Sequence, residues 1–219
     1  MNRCRLWRIA LAAAVLWGSH LAVANADESH GPIAIINFQD LHTLHNGFHP
    51  CPTPGPPGSP CDPTRDLSGP LPTYSSHGYT FFYTPAPGEP FPVGLFVAGR
   101  WWPFNDGTYA LYANSDNALT TLKRDDGRPF ALVAMDLAEL NGARSDLPAI
   151  VAFQGVTATG GAVSIEIALD NITGFQQVYF PNEFSNLLYV QWQQGDNVTN
   201  NPHMFDNVVV TTDFRPSGQ

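Results

Sequence analysis

The chain has 219 residues, 43% of them hydrophobic, with ten basic against 19 acidic side chains and a formal charge of −9. That length is enough for one domain with a sizeable core. The charge balance argues against nucleic acid and anionic membrane surfaces as partners, because both call for basic patches that neutralise phosphate.

Residues 1–26 read as a targeting segment rather than as part of the fold. Arg3, Arg5 and Arg8 make a basic start, Ile9–Trp17 a short apolar core, and Ala24-Asn25-Ala26 a small-residue cleavage site before Asp27. This is the three-part pattern of a secretory signal peptide, and its apolar part is too short for a membrane span. The expectation is an exported chain with one domain over 27–213, a polar tail at 214–219 and no membrane insertion once matured. Cleavage removes three bases and no acid, so the mature chain is more acidic still. Cys4 leaves with the segment. Cys51 and Cys61 remain as an even pair in an oxidising compartment, and a disulfide is predicted between them. The intervening PTPGPPGSP cannot form a helix or a strand. The bridge would staple an irregular loop and contribute no more than about 3 kcal/mol.

The mature chain opens on an apolar run, Ile33–Phe38, with Asp40 just beyond. His42, His45 and His49 follow closely, and three imidazoles can hold a transition metal. The Asn46-Gly47 turn among them does not place them on one face, so they read as solvated loop residues. Pro50–Pro72 holds nine of the 20 prolines. Proline lacks the N–H that a sheet needs, so this is expected to be an exposed insertion. Pro85, Pro87, Pro90 and Pro92 mark a second irregular loop.

Short β-branched and aromatic runs then recur between Gly, Pro, Asn and Asp: Tyr79–Thr84, Val93–Ala98, Tyr109–Ala113, Leu119–Lys123 and Phe130–Leu137. A single helical turn is expected at Leu137–Asn141. Ile150–Val156 and Val163–Leu169 flank Gly160-Gly161 and read as a hairpin. In the second of them Val163, Ile165, Ile167 and Leu169 alternate with Ser164, Glu166 and Ala168, the period of a half-buried strand. Phe175–Phe180 and Leu187–Gln193 follow; in the latter Trp192 shares an alternation face with Val190 and Leu188 and is counted as core on that ground. The chain closes on His203–Thr212, where Asp206 precedes a β-branched run. Pairing of the opening and closing strands would bring Asp40 and Asp206 to one corner. The reading is all-β: an antiparallel β-sandwich of jelly-roll topology.

Several stretches carry a resemblance: INFQDL, GYTF at Gly78–Phe81, YANSDNAL, RDDGRPFALVAMDLAEL, VAFQGVTATGGAVSIEIALD with GFQQVYF, LLYVQW and FDNVVV, spanning Ile35 to Val210. Together they resemble secreted bacterial β-sandwich modules of galactose-binding-like, carbohydrate-binding-module-like jelly-roll architecture. Such modules are common in exoproteins carrying a PEP-CTERM sorting tail. The Val-Pro-Glu-Pro signature and apolar terminal helix of that tail are not in this sequence, so a freely secreted or periplasmic protein is expected. The resemblance implies a structural calcium where first and last strands meet, held by Asp40 and Asp206 with the loop Asn114–Asn117, including Asp116. Calcium takes six to eight oxygen ligands, which carboxylates, carbonyls and water can supply. The alternative is that Asp206 hydrogen-bonds nearby amides in a turn.

For ligand binding, Arg100-Trp101-Trp102-Pro103-Phe104-Asn105-Asp106 is the strongest local feature. Adjacent tryptophans on a strand point to opposite faces. In a loop bounded by Pro and Gly, one of them is exposed or both plug the sandwich end. An exposed indole beside Asn105 and Asp106, with Phe104, forms a platform for stacking on a sugar and bonding its hydroxyls. The resulting expectation is a non-catalytic, glycan-binding module. Two alternatives stay open. One is a structural or adhesive extracellular protein. The other is a polysaccharide-cleaving jelly roll using two carboxylates, for which Glu166 and Asp170 share a wet strand face.

Overall fold

A computed structural model describes residues 33–43, 71–89, 94–98, 108–140, 146–196 and 198–212. Among these residues there is no α-helix, and no helix long and apolar enough to cross a membrane. The described strands are β1 (Ile33–Ile36), β2 (Thr73–Ser76), β3 (Tyr79–Thr84), β4 (Leu95–Ala98), β5 (Ala110–Ala113), β6 (Leu119–Arg124), β7 (Ala131–Glu139), β8 (Ile150–Thr157), β9 (Ala162–Ala168), β10 (Gln176–Tyr179), β11 (Leu187–Gln193) and β12 (His203–Thr211). Short 3-10 turns cover Gln39–Thr43 and Asn182–Phe184.

The strands form two six-stranded antiparallel sheets. The first runs β10-β7-β12-β5-β4, with β1 also on β12; the second runs β2-β3-β6-β11-β8-β9. From β5 to β8 each strand lies in the sheet opposite its predecessor, and again from β9 to β12. This alternation is the jelly-roll pattern, and the sandwich expected from the sequence is the fold observed. The opening and closing strands also pair as expected, in the register Ile33↔Thr211 to Ile36↔Val208.

Aromatic side chains tie the sheets together. Phe205 on β12 meets Trp192 on β11 at 5.0 Å between ring centroids, Phe81 on β3 at 5.6 Å, and Phe38 beyond β1 at 5.6 Å. Phe153 on β8 continues the cluster, 5.4 Å from Trp192. All five are essentially buried. Each such ring pair contributes about 0.5–1.5 kcal/mol beyond the burial of its area.

The alternation over Val163–Leu169 gives the half-buried strand it predicts, because β9 is the edge of the second sheet and covers the core with one face. The β8–β9 turn closes on Gly160, whose φ of +84° is the left-handed conformation that glycine adopts without strain.

Two expectations are corrected. The helical turn at Leu137–Asn141 does not form over its described residues. Leu137, Ala138 and Glu139 continue β7 because each has a ladder partner on β12, Phe205, Met204 and His203. Leu188 is not core but 40% exposed. The β11–β8 register slips between Leu187 and Tyr189, so Leu187 takes the buried place instead. The slip is a bulge that inverts the local alternation. Strand β2 lies just past the proline-rich insertion and is read from no sequence pattern.

Candidate functional site

Two regions carry chemistry: the seam between the chain ends, and the outer face of the second sheet.

At the seam, Asp206 of β12 stands opposite Asp136 of β7. The next residue, Asn207, is left-handed (φ 46°) where the β12–β7 register shifts. Its side chain donates to Asp136 Oδ2 at 2.8 Å, and its amide donates to Asp206 Oδ1 at 2.7 Å. Asp206 is fully buried, and its Oδ2 has no hydrogen-bond partner. Burial pushes the Asp206 carboxyl up to about 6, and the charge of Asp136 adds to this; the Asn207 amide, the Thr108 side chain and the Phe38 amide pull it back. Asp40 sits in the 3-10 turn after β1, where Tyr74 of β2 donates its hydroxyl to Oδ1 at 2.8 Å. Burial, that bond and the charges of both Asp40 and Asp206 together raise the Tyr74 phenol to about 12, against a lowering bond to Ser76. Tyr74 is thus a common neighbour of the two predicted acids.

Asp116 belongs elsewhere. It lies in the β5–β6 loop, its charged neighbours are Asp196 and Glu89, and burial with their repulsion raises its carboxyl. Ser115 beside it donates to Glu89 Oε2 at 2.7 Å. Among the described residues no three His, Cys, Asp or Glu side chains gather around one metal-sized point. What the seam offers instead is an orphaned buried carboxylate oxygen, a second carboxylate and a carboxamide, an all-oxygen set that suits a hard cation. Asp136 and Asn207, both missed in the sequence reading, stand within quoted motifs; an acid interrupting the apolar run ALVAMDL is the signal that marks Asp136.

The outer face of the second sheet follows from alternation. Phe81, Leu122, Val190, Trp192 and Phe153 point into the core, so their neighbours point out. Register pairs then set one row across all six strands: Thr73, Phe82, Thr121, Gln191, Gln154 and Ser164. Tyr189 and Lys123 flank the row on one side, and Gln193 and Glu166 on the other. At about 4.8 Å per strand the row is about 24 Å long. Gln191 Nε2 donates to Thr121 Oγ1 at 3.0 Å and Gln193 Nε2 to Asn117 Oδ1 at 2.8 Å. Lys123 Nζ lies 4.3 Å from the centre of the half-buried Phe82 ring. These bonds fix the carboxamides in place, and each keeps donor and acceptor capacity for a ligand.

The other predicted positions are quickly placed. Glu166 is exposed on β9. Asp170 Oδ1 accepts the Ile172 amide at 3.0 Å, capping the turn after β9. Trp101, Trp102, Phe104, Asn105 and Asp106 lie outside the described residues, as do Cys51 and Cys61, His45 and His49, and the signal segment.

No protein-family model matches the chain, and no curated protein does. Among solved structures the chain is similar to CBM32-3 from a family 31 glycoside hydrolase of Clostridium perfringens (16% identity, 47% of this chain and 72% of that one, TM-score 0.31). It is similar also to a family 29 carbohydrate-binding module (16%, 64% and 99%, 0.33) and to the C-terminal domain of a chitobiase from Bacteroides fragilis (15%, 66% and 99%, 0.35). At these scores the fold rests on the strand pairing described above and not on the likeness.

Proposed function

We propose that this chain is an exported, non-catalytic binding module that lays a glycan strand along the outer face of its second sheet. The observation that carries the reading is the cross-strand row Phe82–Thr121–Gln191–Gln154, a display of carboxamides and hydroxyls beside a half-buried aromatic ring, with Gln191 held by Thr121. A glycan has hydroxyls that both donate and accept, and a C–H face that packs on aromatic rings; this surface complements each. In the same reading a calcium ion would be held at the seam by Asp206 and Asp136, with the Asn207 carboxamide and Asp40 close by. Bound there, the ion would supply charge to the buried carboxylate and link strands distant in sequence.

The test is affinity electrophoresis and calorimetry of the secreted chain against soluble xylan, mannan, glucan and galactan. Micromolar binding without new reducing ends is expected. A Gln154→Ala, Gln191→Ala variant should lose at least about tenfold in affinity, the equivalent of about 1.4 kcal/mol, with its melting temperature unchanged. Unchanged glycan binding by that variant, with binding lost in Trp101→Ala, Trp102→Ala, would refute the sheet face and move the site to the aromatic loop.

A further inference from the structure

Strand β1 pairs with β12 on one side, and on its other side it has no partner among the described residues. A cleft of about 510 Å³ runs along that free side, within the common range of about 300–1,000 Å³ for ligand pockets. One wall is made by Ile33, Ala34 and Ile35. Three consecutive residues on one wall mean that the cleft follows the strand's backbone edge, since side chains alone would alternate. Ile33 and Ile35 are 63% and 52% exposed, and strand β1 itself, Ile-Ala-Ile-Ile, contains none of the charges, prolines or bulges that blunt an edge.

The opposite wall is the tip of the β2–β3 hairpin and the end of β6. His77 and Gly78 both have positive φ (55° and 77°), the tight turn that matches strand twist, so this wall is stiff. It carries two acids in different states. Asp126 is paired with Arg124 at 2.6 Å. Asp125 accepts only a hydroxyl bond, from Thr80 at 2.5 Å, and has no cationic partner among the described residues.

We propose that this cleft receives an extended peptide segment of a partner protein, added to β1 as a further strand and carrying a lysine or arginine that meets Asp125. The unpaired backbone groups of β1 supply register-independent affinity, Ile33 and Ile35 take alternate apolar side chains, and the uncompensated carboxylate selects a cation. A second copy of this chain is the poorer occupant, because both copies would bring a net negative charge.

The test titrates the full secreted chain with the blocked peptide acetyl-VKVKV-amide, read by amide NMR and hydrogen exchange. Shifts and slowed exchange are expected at the alternate β1 amides that face the free edge. The glutamate counterpart acetyl-VEVEV-amide should leave them unmoved. Asp125→Asn keeps an oxygen for Thr80 and should weaken the lysine peptide by about fivefold, the upper range for one exposed ion pair. The Gln154→Ala, Gln191→Ala variant should bind the peptide unchanged, which separates this inference from the glycan reading. It is overturned if neither peptide perturbs β1, if both do so equally, or if Asp125→Asn leaves the affinity intact.

Discussion

Replacing Asp206 with Asn should remove a measurable pH dependence from the stability of the fold. The folded carboxyl titrates at about 6, against 3.8 for the free side chain, so the native state holds its proton more tightly than the unfolded chain does. A raised carboxyl contributes its stability in full below about pH 4 and loses it as the pH rises through about 6. Two pK units at 1.36 kcal/mol each give about 3 kcal/mol, which in a domain of this size corresponds to roughly 6–12 °C in melting temperature. Asn removes the charge and keeps Oδ1 for the Asn207 amide. Melting should be followed by calorimetry in chelator at about pH 4.5 and about pH 7.5, because those values bracket the shifted titration. Because about pH 4.5 lies above the unfolded value of 3.8, part of the contribution is already lost there, and the difference between wild type and Asp206→Asn should move by about 2 kcal/mol against wild type at the higher pH. Taking this difference cancels the other shifted groups: Asp116 and Glu139, raised mainly by burial, Asp196, held low mainly by the Thr199 hydroxyl, and His203, pushed down by burial. Calcium at the higher pH should restore the wild type and leave the variant unmoved. A difference that is the same at both pH values would refute the argument that burial destabilises the Asp206 carboxylate, and an inert calcium titration would refute the cation at the seam.

Two further predictions follow from the interior. Phe205→Ala empties the centre of the aromatic cluster and should cost about 3–5 kcal/mol in denaturant unfolding; a loss below about 1 kcal/mol would mean that the rings do not bridge the sheets. His203, fully buried opposite Glu139, is pushed down to about 3 by burial. Its contribution is therefore present above its unfolded value of 6.5 and is lost as the pH falls from there toward 3; imidazole NMR should show no titration of His203 between about pH 5 and about pH 8, and an ordinary titration curve would place it in water.

The strands were legible where burial is one-sided or complete, as in Val163–Leu169 and in the β-branched end of β12. Local patterning also marked the pairing of the chain ends, since two apolar runs each beside an acid belong at one corner. What local patterning does not carry is register. Leu188 leaves the core only because β11 and β8 slip by a residue. The predicted acid trio divides because Asp116 is carried past the end of β5 toward Glu89 and Asp196, while Asp136 reaches Asp206 through a ladder that is set by the whole sheet. The row Phe82–Thr121–Gln191–Gln154 likewise exists only across four strands and reads in one dimension as unrelated polar residues. Strand β2, polar and adjacent to prolines, is a strand because β3 offers it an edge.

The register of β1 on β12 has a mechanical outcome. Ile33 faces Thr211, so the fold is gripped at both extremities from the same spot. Tension applied between those extremities would not shear the ladder all at once; it would peel the two strands apart like a zip, one pair after another. The first structure surrendered would be the short β1 lap over Val208–Thr211. A chain tethered at both ends would thus yield first at this lap, before the long β7–β12 ladder is loaded.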